Sequence, residues 1–173
     1  MNLLLNKKNN SGFTLVEGLV YIFIFILLSG GALTLLFSLS DLFVQYKLKQ
    51  DVLSSGTVAM ERMLLEIREA DTVTLASSII ASSTAGVLVL ENATNTIRIQ
   101  KNVNQLEIYR EDVFEGILHT STVEVPELTF YHYIENEVEL VRINMKLRSS
   151  SGSLTEEWEV NGGAIMRGSY EGN

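Results

Sequence analysis

Apolar and polar positions follow two regimes along the chain. From Gly18 to Ser40 run 23 consecutive residues without a charge, GLVYIFIFILLSGGALTLLFSLS, apolar on every side of a helix. About 20 apolar residues in a helix span the hydrocarbon core of a bilayer, whereas a helix lying on a soluble core shows a polar stripe. Beyond Asp41 the pattern becomes amphipathic. Met60, Met63, Leu64 and Ile67 recur at i, i+3, i+4 and i+7, and Val44, Leu48 and Val52 make an earlier row. Lys47 and Asp51, like Arg62 and Glu66, stand as opposite charges at i, i+4, each pair worth about 0.2–0.5 kcal/mol. Gly56, flanked by Ser54, Ser55 and Thr57, is the weak point of this stretch. The pattern predicts one helix from Phe13 to about Ala70, with residues 41–72 as its amphipathic continuation. The apolar stripe of that second half needs a globular layer to cover it, and its methionines read as core.

From Gly86 the apolar period becomes two. Val87–Leu90 is a short apolar run; Ile97 and Ile99 alternate with Arg98 and Gln100; Leu106 and Ile108 repeat the alternation within Gln105–Arg110. Asn102-Val103-Asn104 between them suits a hairpin turn. Thr122–Tyr133 carries Val123, Val125, Leu128 and Phe130 and is broken by Pro126. In Val141–Arg148, Val141, Ile143, Met145 and Leu147 alternate with Arg142, Asn144, Lys146 and Arg148, and Leu154–Val160 offers a last strand with Trp158. Ala81–Ala85 and Ser149–Ser153 read as loops. The fold class is α+β: a long N-terminal helix packed on an antiparallel β-sheet, with residues 73–173 as the β domain.

Composition narrows the classes. A length of 173 residues fits one domain, and 46% apolar residues exclude a disordered chain. Zero Cys excludes a disulfide framework, thiolate metal sites and a cysteine nucleophile. A net charge of −8 argues against nucleic acid as a partner. His119 and His132 stand apart, with no Cys or His at ligand spacing, and there is no Gly-rich phosphate loop or G-x-S-x-G elbow. Acidic residues gather at Glu135, Glu137 and Glu139, at Glu111, Asp112 and Glu115, and at Glu156, Glu157 and Glu159. These read as solvated faces or turns; the alternative is Ca²⁺, which takes 6–8 oxygen ligands. Asn92-Ala93-Thr94 matches a glycosylation sequon, a frequent chance match. No metal, no cofactor, no catalytic residue and no enzyme activity are expected.

Lys7 and Lys8 precede the apolar segment and Asp41 follows it, which keeps the lysines cytoplasmic and exports the C-terminal part. Glu17 stands where the apolar stretch begins, and a carboxylate near hydrocarbon is a functional hypothesis unless the headgroup region solvates it. Gly30 and Gly31, adjacent in mid-segment, read either as close helix packing or as a hinge. Gly30-Gly31-Ala32 also allows a conventional signal-peptidase site, giving a secreted domain that starts near Leu33. A third reading is a plain single-pass anchor for an exported binding or sensory domain.

Lys7-Lys8-Asn9-Asn10-Ser11-Gly12 followed by Phe13-Thr14-Leu15-Val16-Glu17 resembles the class III signal of type IV pilins and type II secretion pseudopilins: a short basic leader ending in Gly, then Phe-Thr-Leu-x-Glu, then an apolar helix. The resemblance implies that residues 1–12 are a leader and that prepilin peptidase cuts between Gly12 and Phe13. It implies that Phe13 is N-methylated, that residues 13–40 form the membrane and filament-core helix, and that Glu17 pairs with the N-terminal amine of a neighbouring subunit. The partners it implies are the peptidase, other pilin or pseudopilin subunits and the cytoplasmic membrane, with a pilus or pseudopilus as the destination. Glu61-Arg62-Met63-Leu64-Leu65-Glu66-Ile67-Arg68-Glu69-Ala70, followed by strands alone, is similar to minor pilins of the J or W type. A C-terminal Cys pair and a calcium loop, marks of major subunits, are not seen.

Overall fold

The computed structural model describes residues 14–82, 85–136 and 138–168. The chain divides into two compact units, Met1–Phe43 and Val44–Asn173. One helix, α1, runs Leu15–Glu69. In the first unit its large apolar side chains are exposed, from Leu15 and Val16 to Phe37 and Leu39. Its most apolar 18-residue window has a mean hydropathy of 2.5 and no burial, long and apolar enough to cross a membrane.

In the second unit α1 buries Leu48, Val52, Ser55, Gly56, Ala59, Met60, Met63, Glu66 and Ile67, one face recurring every three or four residues. Eight strands follow: β1 Thr72–Val73, β2 Val87–Glu91, β3 Thr96–Asn102, β4 Gln105–Arg110, β5 Val113–Ile117, β6 Val123–Glu135, β7 Val138–Ser151 and β8 Leu154–Ile165. They form two antiparallel sheets in chain order, β1-β2-β3-β4-β5 and β6-β7-β8, where the alternation implied one. The two sheets meet where the Val125 amide donates to Asn104 O at 2.8 Å and the Ala81 amide to Phe130 O at 2.8 Å. Met63 and Ile67 of α1 share a core with Leu88, Ile99, Leu106 and Ile108 of the first sheet and Leu128, Phe130, Ile143 and Met145 of the second.

Three local expectations are corrected. Gly56 is not a weak point: α1 passes through it unbroken, and a Cβ there would meet Trp158 Cζ3 at 2.6 Å and Leu147 Cδ1 at 3.0 Å. The missing side chain is the seat of the Trp158 ring. At Gly162 of β8 a Cβ would meet Met60 Sδ at 2.5 Å, so a second glycine lets helix and strand approach. Ser149–Ser151 belongs to β7 rather than to a loop; the turn comes at Gly152, φ +61°. Lys47 and Asp51 form no ion pair, and Asp51 instead accepts a hydrogen bond from Thr122 Oγ1 at 3.3 Å.

Arg62 and Glu66 do pair, at 2.7 Å, but within a larger network. Glu66, 2% exposed, also receives Arg110 at 3.1 Å, and Glu115 engages both arginines at 3.3 Å. A carboxylate this buried requires its partners, so the network ties α1 to β4 and β5.

The turns follow the backbone's demands. Glu111 and Asp112, the two residues between β4 and β5, both have positive φ, +53° and +61°, as a type I′ hairpin requires. The Asn102–Gln105 pair closes β3–β4, with Val103 at φ +56°, a strained position for a β-branched residue.

Glu107 of β4 is buried beside that turn. Burial pushes its carboxyl up, but donors from Gln100 Nε2 (3.1 Å), Asn102 Nδ2 (3.0 Å) and Tyr109 Oη (2.9 Å), with the Arg98 charge, outweigh burial and hold it below the ordinary 4.5. A pKa lower in the folded than in the unfolded state contributes stability that is full above the unfolded value and lost as pH falls through the folded one. The chain should therefore lose thermal stability more steeply below pH 4.5 than Glu107→Gln does. Parallel melting profiles of the two on the acid side would refute this.

Candidate processing and assembly site

The head of α1 is built by its own first turn. Thr14 Oγ1 accepts the Glu17 amide at 3.3 Å, and Thr14 O accepts the Gly18 amide at 3.1 Å. Thr14 is thus the N-cap, and Thr14-x-x-Glu17 has the spacing of a capping box. The sequence carried this signal and the reading of the apolar pattern missed it. Capping fixes where the helix starts and sets Glu17 in its first turn, where the helix dipole favours a carboxylate. The Glu17 side chain is exposed, and among the described residues its carboxylate has no hydrogen-bond or ion-pair partner. The chain therefore presents an acceptor at the edge of an apolar helix without using it internally. Gly12 and Phe13, like Lys7 and Lys8, lie outside the described residues.

Gly30 and Gly31 sit inside α1 with open space where a Cβ would be. Thr34 Oγ1 donates to Gly30 O at 3.0 Å and Ser38 Oγ to Thr34 O at 3.0 Å. Hydroxyls that bond back four residues are a source of bending in helices, and neither Thr34 nor Ser38 stood out in the sequence.

The other candidate residues are dispersed. His132 Nε2 lies 3.0 Å from Glu139 Oε2 across β6–β7, and His119 Nδ1 donates to Thr120 O at 2.8 Å. Asp112 pairs with Arg98 at 3.3 Å, Glu115 belongs to the Glu66 network, and Glu157 holds Lys146 at 2.7 Å; Glu137 lies outside the described residues. Among the described residues no three His, Asp or Glu side chains converge as a metal would need. Asn92 Oδ1 accepts the Thr94 and Asn95 amides at 3.1 and 2.7 Å, the closed turn that joins β2 to β3.

Helix and site together define a chain led by an exposed apolar helix, capped at its head and carrying one uncommitted carboxylate there, followed by a helix-on-sheet layer. Residues 7–33 match the family described as the prokaryotic N-terminal methylation motif, a type IV pilin-like class III signal. No curated protein and no solved structure matches the chain. The motif and the apolar helix that carries it support a membrane-anchored prepilin-type substrate of prepilin peptidase, and they point to a structural subunit.

Proposed function

We propose that this chain is a minor type IV pilin or pseudopilin, held in the cytoplasmic membrane by a single pass with its C-terminal domain outside, then assembled into a pilus or secretion pseudopilus. Prepilin peptidase hydrolyses the Gly12–Phe13 bond, and the ammonium released on Phe13 is methylated. Glu17 then faces the N-terminal ammonium of a neighbouring subunit. The observation that carries the reading is Gly12-Phe13-Thr14-Leu15-Val16-Glu17 at the head of a 23-residue uncharged run. In a filament core with little water an unpaired carboxylate is costly, and one facing an ammonium is compensated. The stretch Glu61–Ala70, followed by strands alone, favours a minor subunit over a major one.

The test is the intact mass and N-terminal sequence of the chain recovered from cells with active prepilin peptidase. A start at Phe13 carrying one methyl group is expected. A start at Met1 would leave a plain membrane anchor, and a start at Leu33 a conventional secreted domain.

Gly30–Gly31 is proposed as the place where the helix loosens on leaving the membrane, since each glycine in a helix costs about 1 kcal/mol relative to Ala. Replacing both by Ala should leave membrane insertion intact and reduce the yield of assembled filament several-fold. Unchanged assembly would remove the hinge.

A further inference from the structure

The sheet β6-β7-β8 covers α1 with one face, and a hollow lies at the end of the sheet where β7 begins and β8 stops. Val141, Ile143 and Gly162 stand on the α1 side, so their neighbours Arg142 and Gly163, which pair across β7 and β8, stand on the outer side. Around Gly163 lies a hollow of about 600 Å³ lined by Arg68 of α1, Leu140, Ile165 and Arg167. It adjoins a smaller one of about 240 Å³ lined by Arg142 and Asn161, with Leu140 and Gly163 common to both.

Nothing in the backbone demands a glycine at 163. Its φ is not in the left-handed region, and a Cβ there would make only ordinary contacts, 3.4 Å to Val141 O and 3.7 Å to Arg142 Cα. This contrasts with Gly162, where a Cβ would force Met60 to shift. The hollow is thus a surface feature that folding does not require.

The charge there is unusual for this chain. Acids outnumber bases 21 to 13, and Arg62, Arg98, Arg110 and Arg148 each hold a carboxylate. Among the described residues Arg68 and Arg142 hold none, and no carboxylate of those residues lines either hollow. On the far side of Arg142 its β6 partner is Tyr131, whose ring stacks on Tyr133 at 6.5 Å. Tyr133 is 49% exposed. Arginine and tyrosine around a depression are the composition of protein-interface hot spots, and a guanidinium takes a carboxylate in a two-pronged, directional way.

We infer that this end of β7 and β8 docks an acidic segment of a partner protein, its carboxylates meeting Arg68 in the larger hollow and Arg142 in the smaller one, and the adjoining chain lying against Tyr131 and Tyr133. The inference stands on this surface alone and does not depend on processing or assembly of the N-terminal helix.

The test uses the full chain in neutral detergent and a rhodamine-labelled peptide of alternating Glu and Gly, read by fluorescence anisotropy. A peptide with Gln for Glu and inorganic phosphate serve as comparisons. Binding of the Glu peptide should weaken at least tenfold in Arg68→Ala/Arg142→Ala and likewise in Gly163→Leu, which fills the hollow, while Arg98→Ala binds as the parent does. Unchanged melting of each variant shows that the fold is intact. Equal binding of the Gln peptide, or no loss in both the arginine and the Gly163 variants, would overturn the proposal. Phosphate displacing the Glu peptide at its own lower dissociation constant would overturn it too, in favour of a small-anion site.

Discussion

Gly56→Leu should lower the melting temperature of the full chain in detergent by about 6–12 °C. The substitution drives four carbons into space held by the Trp158 ring and Leu147, and overpacking of this kind costs about 3 kcal/mol. A chain of this size loses about 2–4 °C per kcal/mol. Leu is a far better helix former than Gly, so judged by α1 alone the variant ought to be more stable. The two accounts therefore predict opposite signs. Trp158 is the single tryptophan, and its emission should shift to the red as the ring is displaced. A higher melting temperature with unchanged emission would mean that Trp158 does not rest on Gly56.

Glu17→Gln should abolish filament assembly while leaving membrane insertion and peptidase cleavage intact. Gln keeps the size of the side chain and removes the charge that would compensate an incoming ammonium, whose burial unpaired costs several kcal/mol. The helix itself has little at stake, because Thr14 caps it through the Glu17 backbone amide rather than through the side chain. Filament recovered by shearing, compared with chain recovered from membranes, measures the effect. Normal assembly of Glu17→Gln would leave the carboxylate with nothing beyond its favourable place in the helix dipole and favour a simple anchor.

What could be read along the chain depended on how regularly each element meets the core. Helix α1 was legible nearly to the residue, expected over Phe13–Ala70 and observed over Leu15–Glu69, because first an unbroken apolar run and then a clean 3.6-residue stripe mark it. Strands β3, β4 and β7 bury one face against one core, so Ile97/Ile99, Leu106/Ile108 and Val141–Leu147 showed themselves by alternation. Strand β5 did not, since a register shift opposite Ile108 and Tyr109 disturbs its alternation and Val113, Phe114 and Ile117 stay exposed. The division into two sheets was also hidden: a chain-order meander carries no mark of where pairing stops, and Thr120 and Thr122 differ little in sequence from residues of a hairpin turn. At the candidate site the Gly12–Glu17 pattern was legible as a motif, and it lies within the residues 7–33 that match the methylation-motif family. The capping role of Thr14 lay in the same residues and was masked by that stronger reading. The hollow at Gly163 was not legible, because it joins Arg68 to a strand almost a hundred residues away.

The strand orders β1-β2-β3-β4-β5 and β6-β7-β8 contain no crossover. Within each sheet every strand pairs with the one made just before it, and β3–β4, β4–β5 and β7–β8 close through two residues apiece. Loop closure is then about as cheap as it can be, and a low separation between contacting residues makes for fast folding. The β layer can zip up hairpin by hairpin as it emerges, and the slow step falls to the long-range events left, the docking of the two sheets and of α1 on them, with Trp158 and Met60 settling between α1 and β8. Unfolding should begin at the same seam.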